Sequence, residues 1–166
     1  MLGSVRYLTF ALVLTVGCGL PRDPEGTLNS LRGGTLRVGF VVDTPWVTAA
    51  GTGAGGIEGA IASELARGLG ARIAWTAGAE TPLLTALHDG DLDLVVAGLT
   101  KESPWSAKVS LTRPYYVDTT TVHGERTEVP HVIALRAGEN AWQVHVERLL
   151  EARKGELAAM RHSVAR

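Results

Sequence analysis

The stretch that decides the fold is LLTALHDGDLDLVVAGLTKESPWSAKVSLTRPYY, residues 83–116. Its first part predicts the end of a helix and a tight turn, because Gly90 supplies the positive φ angle with which helices end. Leu92–Ala97 is a short apolar run bounded by turn residues, as is typical of a strand buried on both faces. Residues 98–100 follow the carboxyl end of this strand, where open α/β sheets bind their ligands.

Strands and helices alternate in the part of the chain before this run. Leu36–Val42 predicts a first strand, which ends before Pro45 because proline lacks the amide donor of a central strand. Ile57–Leu69 predicts a helix with one buried stripe, Ala71–Thr76 a second strand, and Glu80–His88 a second helix. The alternation predicts an α/β fold with a mostly parallel sheet and helices on both faces.

The chain after residue 116 predicts a short return to the same sheet. Tyr116–Val122 and His131–Leu135 are rich in strand-forming residues, and Gly138–Lys154 has the periodicity of an amphipathic helix. An extension of this helix after Gly155, through Leu157 and Met160, is the alternative end. The residues between the two strands, 123–130, suit a hairpin-like reversal and are too few for a further domain. We therefore expect an antiparallel return strand and a final helix, which complete one domain over residues 35–166.

Composition excludes some classes of function. The chain has 166 residues, 45% of them hydrophobic, and a net charge of −1. This length and hydrophobicity support one domain with a real core and argue against a disordered protein. A balanced charge argues against a basic nucleic-acid binder, so no nucleic-acid partner is expected.

The amino terminus predicts export. Arg6 precedes the apolar run Tyr7–Val16, which is too short to span a bilayer and is followed by Gly17 and Cys18. Small residues before a cysteine resemble a bacterial lipobox, which implies a signal peptide over residues 1–18 and lipidation of Cys18. An ordinary cleaved signal, or a buried helix with an incidental cysteine, is the alternative. The polar segment 19–34 predicts a flexible tether, and Gly19 favours the outer membrane if the host is Gram-negative.

Several ordered landmarks resemble one protein family. They are GTLRVG at 34–39, GIEGAIASELARGLG at 56–70, ALHDGDLDLVVAGLT at 86–100 and LTRPYY at 111–116. Together they resemble the bacterial extracellular solute-binding proteins of family 3, periplasmic receptors that supply amino acids and other polar solutes to ABC transporters. The resemblance implies a type II periplasmic-binding-protein fold, here reduced to a single lobe because residues 123–130 replace the second lobe.

A single lobe has consequences for binding. Two-lobe receptors bury most of the ligand surface by hinge closure. One lobe offers half of the cleft, so the resemblance implies weak binding unless an ABC permease or a second copy covers the site. The expected location is the periplasm or cell envelope, with a lipid anchor in the membrane.

The loop after the third strand departs from the family pattern. The Thr and Arg with which family members hold an amino acid are here Glu102 and Trp105, and an acidic residue of the first helix is here Ala60. Without that Arg, no bidentate contact holds a free carboxylate. We therefore expect a small polar or cationic solute rather than an ordinary amino acid.

The candidate ligand-binding residues follow the predicted strands. Carboxylates there would hold a cation and exposed aromatic rings would stack on it, although the tryptophans suit packing at the lobe rim equally well. The candidates are Asp43, Trp46, Gly98, Leu99, Thr100, Glu102, Trp105 and Tyr115.

Other chemistries lack their sequence requirements. Residues 51–56 fit G-x-G-x-x-G but begin well after the first strand ends, unlike a dinucleotide site. The acidic residues at 89, 91 and 93 lack the glycine and glutamate of a calcium loop, and the histidines form no pair at metal-ligand spacing. We expect no cofactor, no metal and no catalytic residues, hence a binding protein rather than an enzyme. A protein-interaction module that retains the lobe without solute binding is the alternative function.

Overall fold

The computed structural model of the chain describes residues 23–122 and 124–164. The predicted signal peptide, with Cys18, lies outside these residues. The elements in chain order are α1 (Thr27–Leu31), β1 (Thr35–Phe40), β2 (Thr48–Ala50), β3 (Gly53–Gly55), α2 (Gly56–Leu69), β4 (Arg72–Ala77), α3 (Glu80–Asp89), β5 (Leu94–Val96), a 3-10 helix (Pro104–Ala107), β6 (Ser110–Leu111), β7 (Tyr116–Val122), β8 (Glu125–His131), β9 (Ala134–Leu135) and α4 (Asn140–Val164).

The central sheet has five strands in the order β4-β1-β5-β9-β6. Strand β1 pairs in parallel with β4 on one side and with β5 on the other. Strand β9 then returns antiparallel to β5, with Leu94 opposite Leu135, and β6 pairs antiparallel to β9. The predicted single lobe, with a mostly parallel sheet and an antiparallel return strand, is confirmed.

Helices cover both faces of this sheet. Leu94 and Val96 of β5 belong to the core cluster that packs against α2 and α4, whereas Val95 belongs to the cluster beneath α3. Gly39 in β1 faces α3, because a Cβ atom on it would lie 3.1 Å from Leu83 Cδ2 of α3 and 2.7 Å from Leu92 Cδ1. The apolar run of the third strand is therefore continuous because its side chains are buried on both sides.

Charged and polar contacts tie the amino end of β5 to the rest of the lobe. Asp93 lies immediately before β5 and accepts hydrogen bonds from the backbone amide and the guanidinium of Arg37, at 2.9 Å and 2.5–3.0 Å. The backbone carbonyl of Asp93 also accepts a hydrogen bond of 3.0 Å from Trp142 Nε1 in α4. Asp93 is therefore structural, and it lies at the amino end of β5, away from the loop that follows this strand.

The two strands that follow Tyr115 form a hairpin, as predicted, but β8 (Glu125–His131) occupies most of the segment 123–130 that was predicted as the reversal. Strands β7 and β8 pair along their whole length, from Tyr116 opposite His131 to Val122 opposite Glu125. The predicted strand His131–Leu135 is divided between β8 and β9. Between them Val132 donates to the Leu99 carbonyl at 2.9 Å and Ile133 to Thr112 Oγ1 at 3.0 Å, so neither joins a strand ladder.

The predicted tether, residues 19–34, contains structure of its own. Thr27–Leu31 forms α1, and Leu31 is buried in the core. The Glu139 carboxylate, just before α4, accepts hydrogen bonds from the amides of Glu25 and Thr27 at 3.1 and 3.2 Å. The polar composition did not reveal this helix, because its stability comes from tertiary contacts rather than from its own sequence.

The boundaries of other elements also differ from the predictions. The glycine-rich stretch 47–56, to which the sequence assigns no strand, contains the small hairpin of β2 and β3, whose turn includes Gly51 with φ of +59°. Helix α4 continues past Gly155 to Val164, as in the longer of the two predicted ends, because Leu157 remains in the core and Arg161 pairs with Asp118 of β7. No helix among the described residues has the length and apolarity needed to cross a membrane.

Candidate functional site

A cavity of about 360 Å³ lies at the carboxyl edge of the parallel strands. We call it the acidic pocket. The loops after β1 and β5 and the first residue of α3, which follows β4, all contribute to it, so it occupies the place where this class of sheet binds ligands. Its lining residues are Asp43, Glu80, Ala97, Gly98, Leu99, Thr100, Glu102, Ser103 and Pro104.

The charge of the acidic pocket is one-sided. Three of its nine lining residues, Asp43, Glu80 and Glu102, carry carboxylates, and none carries a basic side chain. All three acidic residues are exposed to solvent. The pocket therefore provides a field that attracts cations and repels anions.

Gly98 allows the Asp43 carboxylate to lie directly over the loop after β5. Gly98 has a φ angle of +61°, and a Cβ atom there would overlap Asp43 Oδ2. Glycine is required on two counts, because the positive φ strains other residues and because the carboxylate occupies the space of a side chain.

We expect Gly98→Ala to lower the free energy of unfolding by roughly 1–3 kcal/mol, because the alanine is strained at this φ angle and displaces Asp43. Urea unfolding measures the change. Gly68→Ala in α2 is the matched control, since its Cβ atom meets nothing within 4 Å and alanine is favoured in a helix by about 0.5–1 kcal/mol. A Gly98→Ala protein as stable as the parent would contradict this geometry.

A further carboxyl group, which is fully buried, lies beneath the pocket. Glu58, in the first turn of α2, is 0% exposed. Its Oε2 accepts a hydrogen bond of 3.2 Å from the Gly98 amide, and its Oε1 accepts one of 2.6 Å from the Tyr115 hydroxyl. Burial raises the pKa of Glu58 to about 7, and the charge of Asp43 raises it further while the hydrogen bonds oppose the shift. Burial, together with Glu58, raises the pKa of Tyr115 well above its ordinary value.

The structure brings together five of the eight candidate residues and separates three. Asp43, Gly98, Leu99, Thr100 and Glu102 line the acidic pocket. The three aromatic candidates do not line it. Trp46 and Tyr115 are 6% and 2% exposed in the core that faces α2 and α4, and Trp105 packs against the cluster beneath α3.

The ring of Trp46 is covered by other side chains of the chain. It stacks on His131 with ring centroids 3.7 Å apart, and the Arg161 guanidinium lies 5.6 Å from its centroid. Arg161 is fixed there by hydrogen bonds of 2.8 and 3.2 Å to Asp118. Trp46 therefore has the packing role that the sequence left open as its alternative.

Two residues of the site were missed from the sequence. Glu80 begins α3 directly after β4, so its place at the carboxyl edge follows from the alternation of strands and helices. Glu58 lies on the same helical stripe as Ile61 and Leu65, and that position was the signal that its side chain is buried. Among residues 23–122 and 124–164, no group of three or more His, Cys, Asp or Glu side chains is arranged to hold a metal ion.

The sequence model of one family matches most of the chain. Residues 36–162 match the model described as bacterial extracellular solute-binding proteins, family 3. The chain belongs to this family. The predicted membership is confirmed, and the family is one of extracellular and periplasmic proteins. No curated protein matches the chain.

Solved structures of solute-binding proteins share the fold. An ancestral cationic amino acid solute-binding protein, AncCDT-1, is 17% identical to the present chain with a TM-score of 0.70. The match covers 83% of the present chain and 99% of AncCDT-1. The arginine-bound form of domain 1 from TmArgBP is 21% identical with a TM-score of 0.61, over 75% and 97% of the two chains. An arginine-specific periplasmic binding protein of Salmonella typhimurium is 14% identical with a TM-score of 0.64, over 78% and 98%. At these identities the likeness establishes the fold alone.

Proposed function

We propose that this chain binds a small cationic solute in the acidic pocket and acts as the receptor component of an ABC transporter. The observation that carries the proposal is the lining of the pocket, which contains three carboxylates and no basic side chain. Carboxylates form charge-assisted hydrogen bonds with ammonium and guanidinium groups, and such bonds are roughly twice as strong as neutral ones.

The pocket is poorly suited to a free α-carboxylate. Glu102 and Trp105 stand where the family resemblance implies Thr and Arg, and Glu102 would repel a carboxylate. The fold relatives described as binding arginine or cationic amino acids support a cationic ligand class. We therefore propose an amine or guanidine without a carboxylate as the preferred solute.

A single lobe covers one side of a solute, so we propose weak binding that a permease or a second copy strengthens. The domain 1 structure described as arginine-bound supports binding by one lobe. We further propose that the lobe is held in the periplasm or cell envelope by a lipid on Cys18, at the outer membrane if the host is Gram-negative. Binding without catalysis is the proposed activity.

Thermal unfolding with matched solutes tests the ligand class. We expect agmatine, which has a guanidinium and an ammonium group but no carboxylate, to raise the Tm more than L-arginine does. L-citrulline, the neutral counterpart of arginine, should raise it least. A ligand present at ten times its Kd stabilises the folded state by about 1.4 kcal/mol, which raises the Tm by roughly 3–5 °C for a domain of this size.

Two outcomes would count against the proposal. Equal shifts with arginine and citrulline would mean that the pocket does not select for positive charge. No shift with agmatine, putrescine or other small cations would favour the protein-interaction module. The exposed strands of the β7–β8 hairpin, which stand where the family resemblance implies a second lobe, are the surface for that alternative.

A further inference from the structure

We infer that Glu58, which does not line the acidic pocket, is a positioning residue for it, and that its proton is coupled to the charge in the pocket. Positive charge entering the pocket, or loss of the negative charge of Asp43, should release that proton. The physiological meaning of this coupling, in which solute binding releases a proton, rests on the proposed function.

Glu58 joins the two loops that shape the pocket. Its carboxyl Oε2 accepts a hydrogen bond of 3.2 Å from the Gly98 amide, in the loop after β5 that lies against the Asp43 carboxylate. Its own backbone amide donates to the Trp46 carbonyl at 2.9 Å, in the loop that carries Asp43. The position of Asp43 relative to Gly98 therefore depends on one side chain and its backbone.

No basic side chain neutralises this carboxyl group in the described part of the chain. It accepts hydrogen bonds from the Tyr115 hydroxyl and from backbone amides, and the negative charge of Asp43 acts on it. His131, on β8, packs near Tyr115 and Trp46, and burial lowers the pKa of His131. Arg161 and Asp118 lie beyond Trp46 and are paired with each other.

The direction of the coupling follows from these charges. Burial and the charge of Asp43 both favour the protonated form of Glu58. A cation bound beside Asp43 offsets the second of these influences and favours the ionised form. By reciprocity, the ionised form binds the cation more tightly. Ionised Glu58 also holds the Gly98 amide more strongly, because a charged acceptor strengthens the hydrogen bond.

A ¹³C NMR titration of the Glu58 carboxyl carbon tests the coupling in the whole chain, with Glu58→Gln to assign the signal. Without ligand, we expect a midpoint near pH 7 in the parent and a lower midpoint in Asp43→Asn. Agmatine should lower the midpoint by about one unit, which corresponds to binding about threefold tighter at pH 8 than at pH 6.5. Glu58→Gln should fold and lose this pH dependence, whereas Glu64→Gln, on the outer part of the same helix, should keep it.

The two proposals fail in different ways. If agmatine does not bind but Asp43→Asn lowers the Glu58 midpoint, the coupling stands and the proposed function is wrong. If agmatine binds equally at pH 6.5 and 8 and neither it nor Asp43→Asn moves the midpoint, the coupling is wrong and the proposed function stands. A Glu58 midpoint near pH 4.5 in the parent would also overturn the inference.

Discussion

Replacing Trp142 with alanine is expected to lower the free energy of unfolding by about 3–5 kcal/mol, the range for removing a buried aromatic ring. Trp142 is 0% exposed and is among the largest fully buried side chains of the described residues. Its ring fills the core between α4 and the sheet, and its Nε1 donates to the Asp93 carbonyl next to β5. Urea unfolding followed by far-UV circular dichroism measures the change.

Trp142→Phe separates packing from hydrogen bonding at this position. The phenylalanine keeps much of the apolar contact but leaves the Asp93 carbonyl without its partner, so a smaller loss of about 1–2 kcal/mol is expected. If Trp142→Ala cost less than about 1 kcal/mol, α4 would not be an integral part of the lobe. The assignment of one domain that extends through the final helix would then be wrong.

The second large effect is a dependence of stability on pH that comes from Glu58. The folded protein retains the Glu58 proton up to about pH 7, whereas the unfolded chain releases it near 4.5. The contribution of Glu58 to the free energy of unfolding is therefore fully present below pH 4.5 and is lost as the pH rises to about 7. The shift corresponds to about 3 kcal/mol, and comparing the parent with Glu58→Gln at each pH isolates it.

Glu58→Gln should remove this component because glutamine has the same shape and carries no charge. We expect the free energy of unfolding of Glu58→Gln to change less than that of the parent between pH 4.5 and pH 7.5. Relative to the parent, the variant should therefore be more stable at pH 7.5 than at pH 4.5. Parallel stability curves for the two proteins over this range would show that Glu58 titrates at its ordinary value. Glu64→Gln, which changes a partly exposed carboxylate of the same helix, provides the matched control.

The central sheet and its covering helices were predictable because the spacing of their apolar residues indicates which side chains are buried. The apolar run of β5 indicated a strand covered on both faces, and the stripe of α2 indicated its buried side. Helix α1 was not predictable, since it is held by Leu31 in the core and by the distant Glu139 carboxylate. The separation of β8 from β9 also depends on bonds to remote loops, which no local pattern encodes.

The candidate site was predictable where it depends on strand ends and failed where it depends on side-chain direction. Asp43 and Glu102 were placed correctly at the carboxyl edge because they follow β1 and β5 in the chain. Trp46 is only three residues from Asp43, yet its ring turns into the core and stacks on His131. The sequence contains both residues but does not state which of two neighbouring side chains faces the pocket.

The most direct test of cation binding is a calorimetric titration of agmatine into the parent chain and into Asp43→Asn. We expect the Kd to rise by roughly 10- to 100-fold in Asp43→Asn, as for the loss of one charge-assisted contact of about 1.5–3 kcal/mol. Asp91→Asn, at an exposed acid outside the pocket lining, should leave the Kd unchanged. Binding in the acidic pocket would be contradicted if the parent and Asp43→Asn had the same Kd for agmatine. It would also be contradicted if Asp43→Asn and Asp91→Asn lost the same amount of affinity.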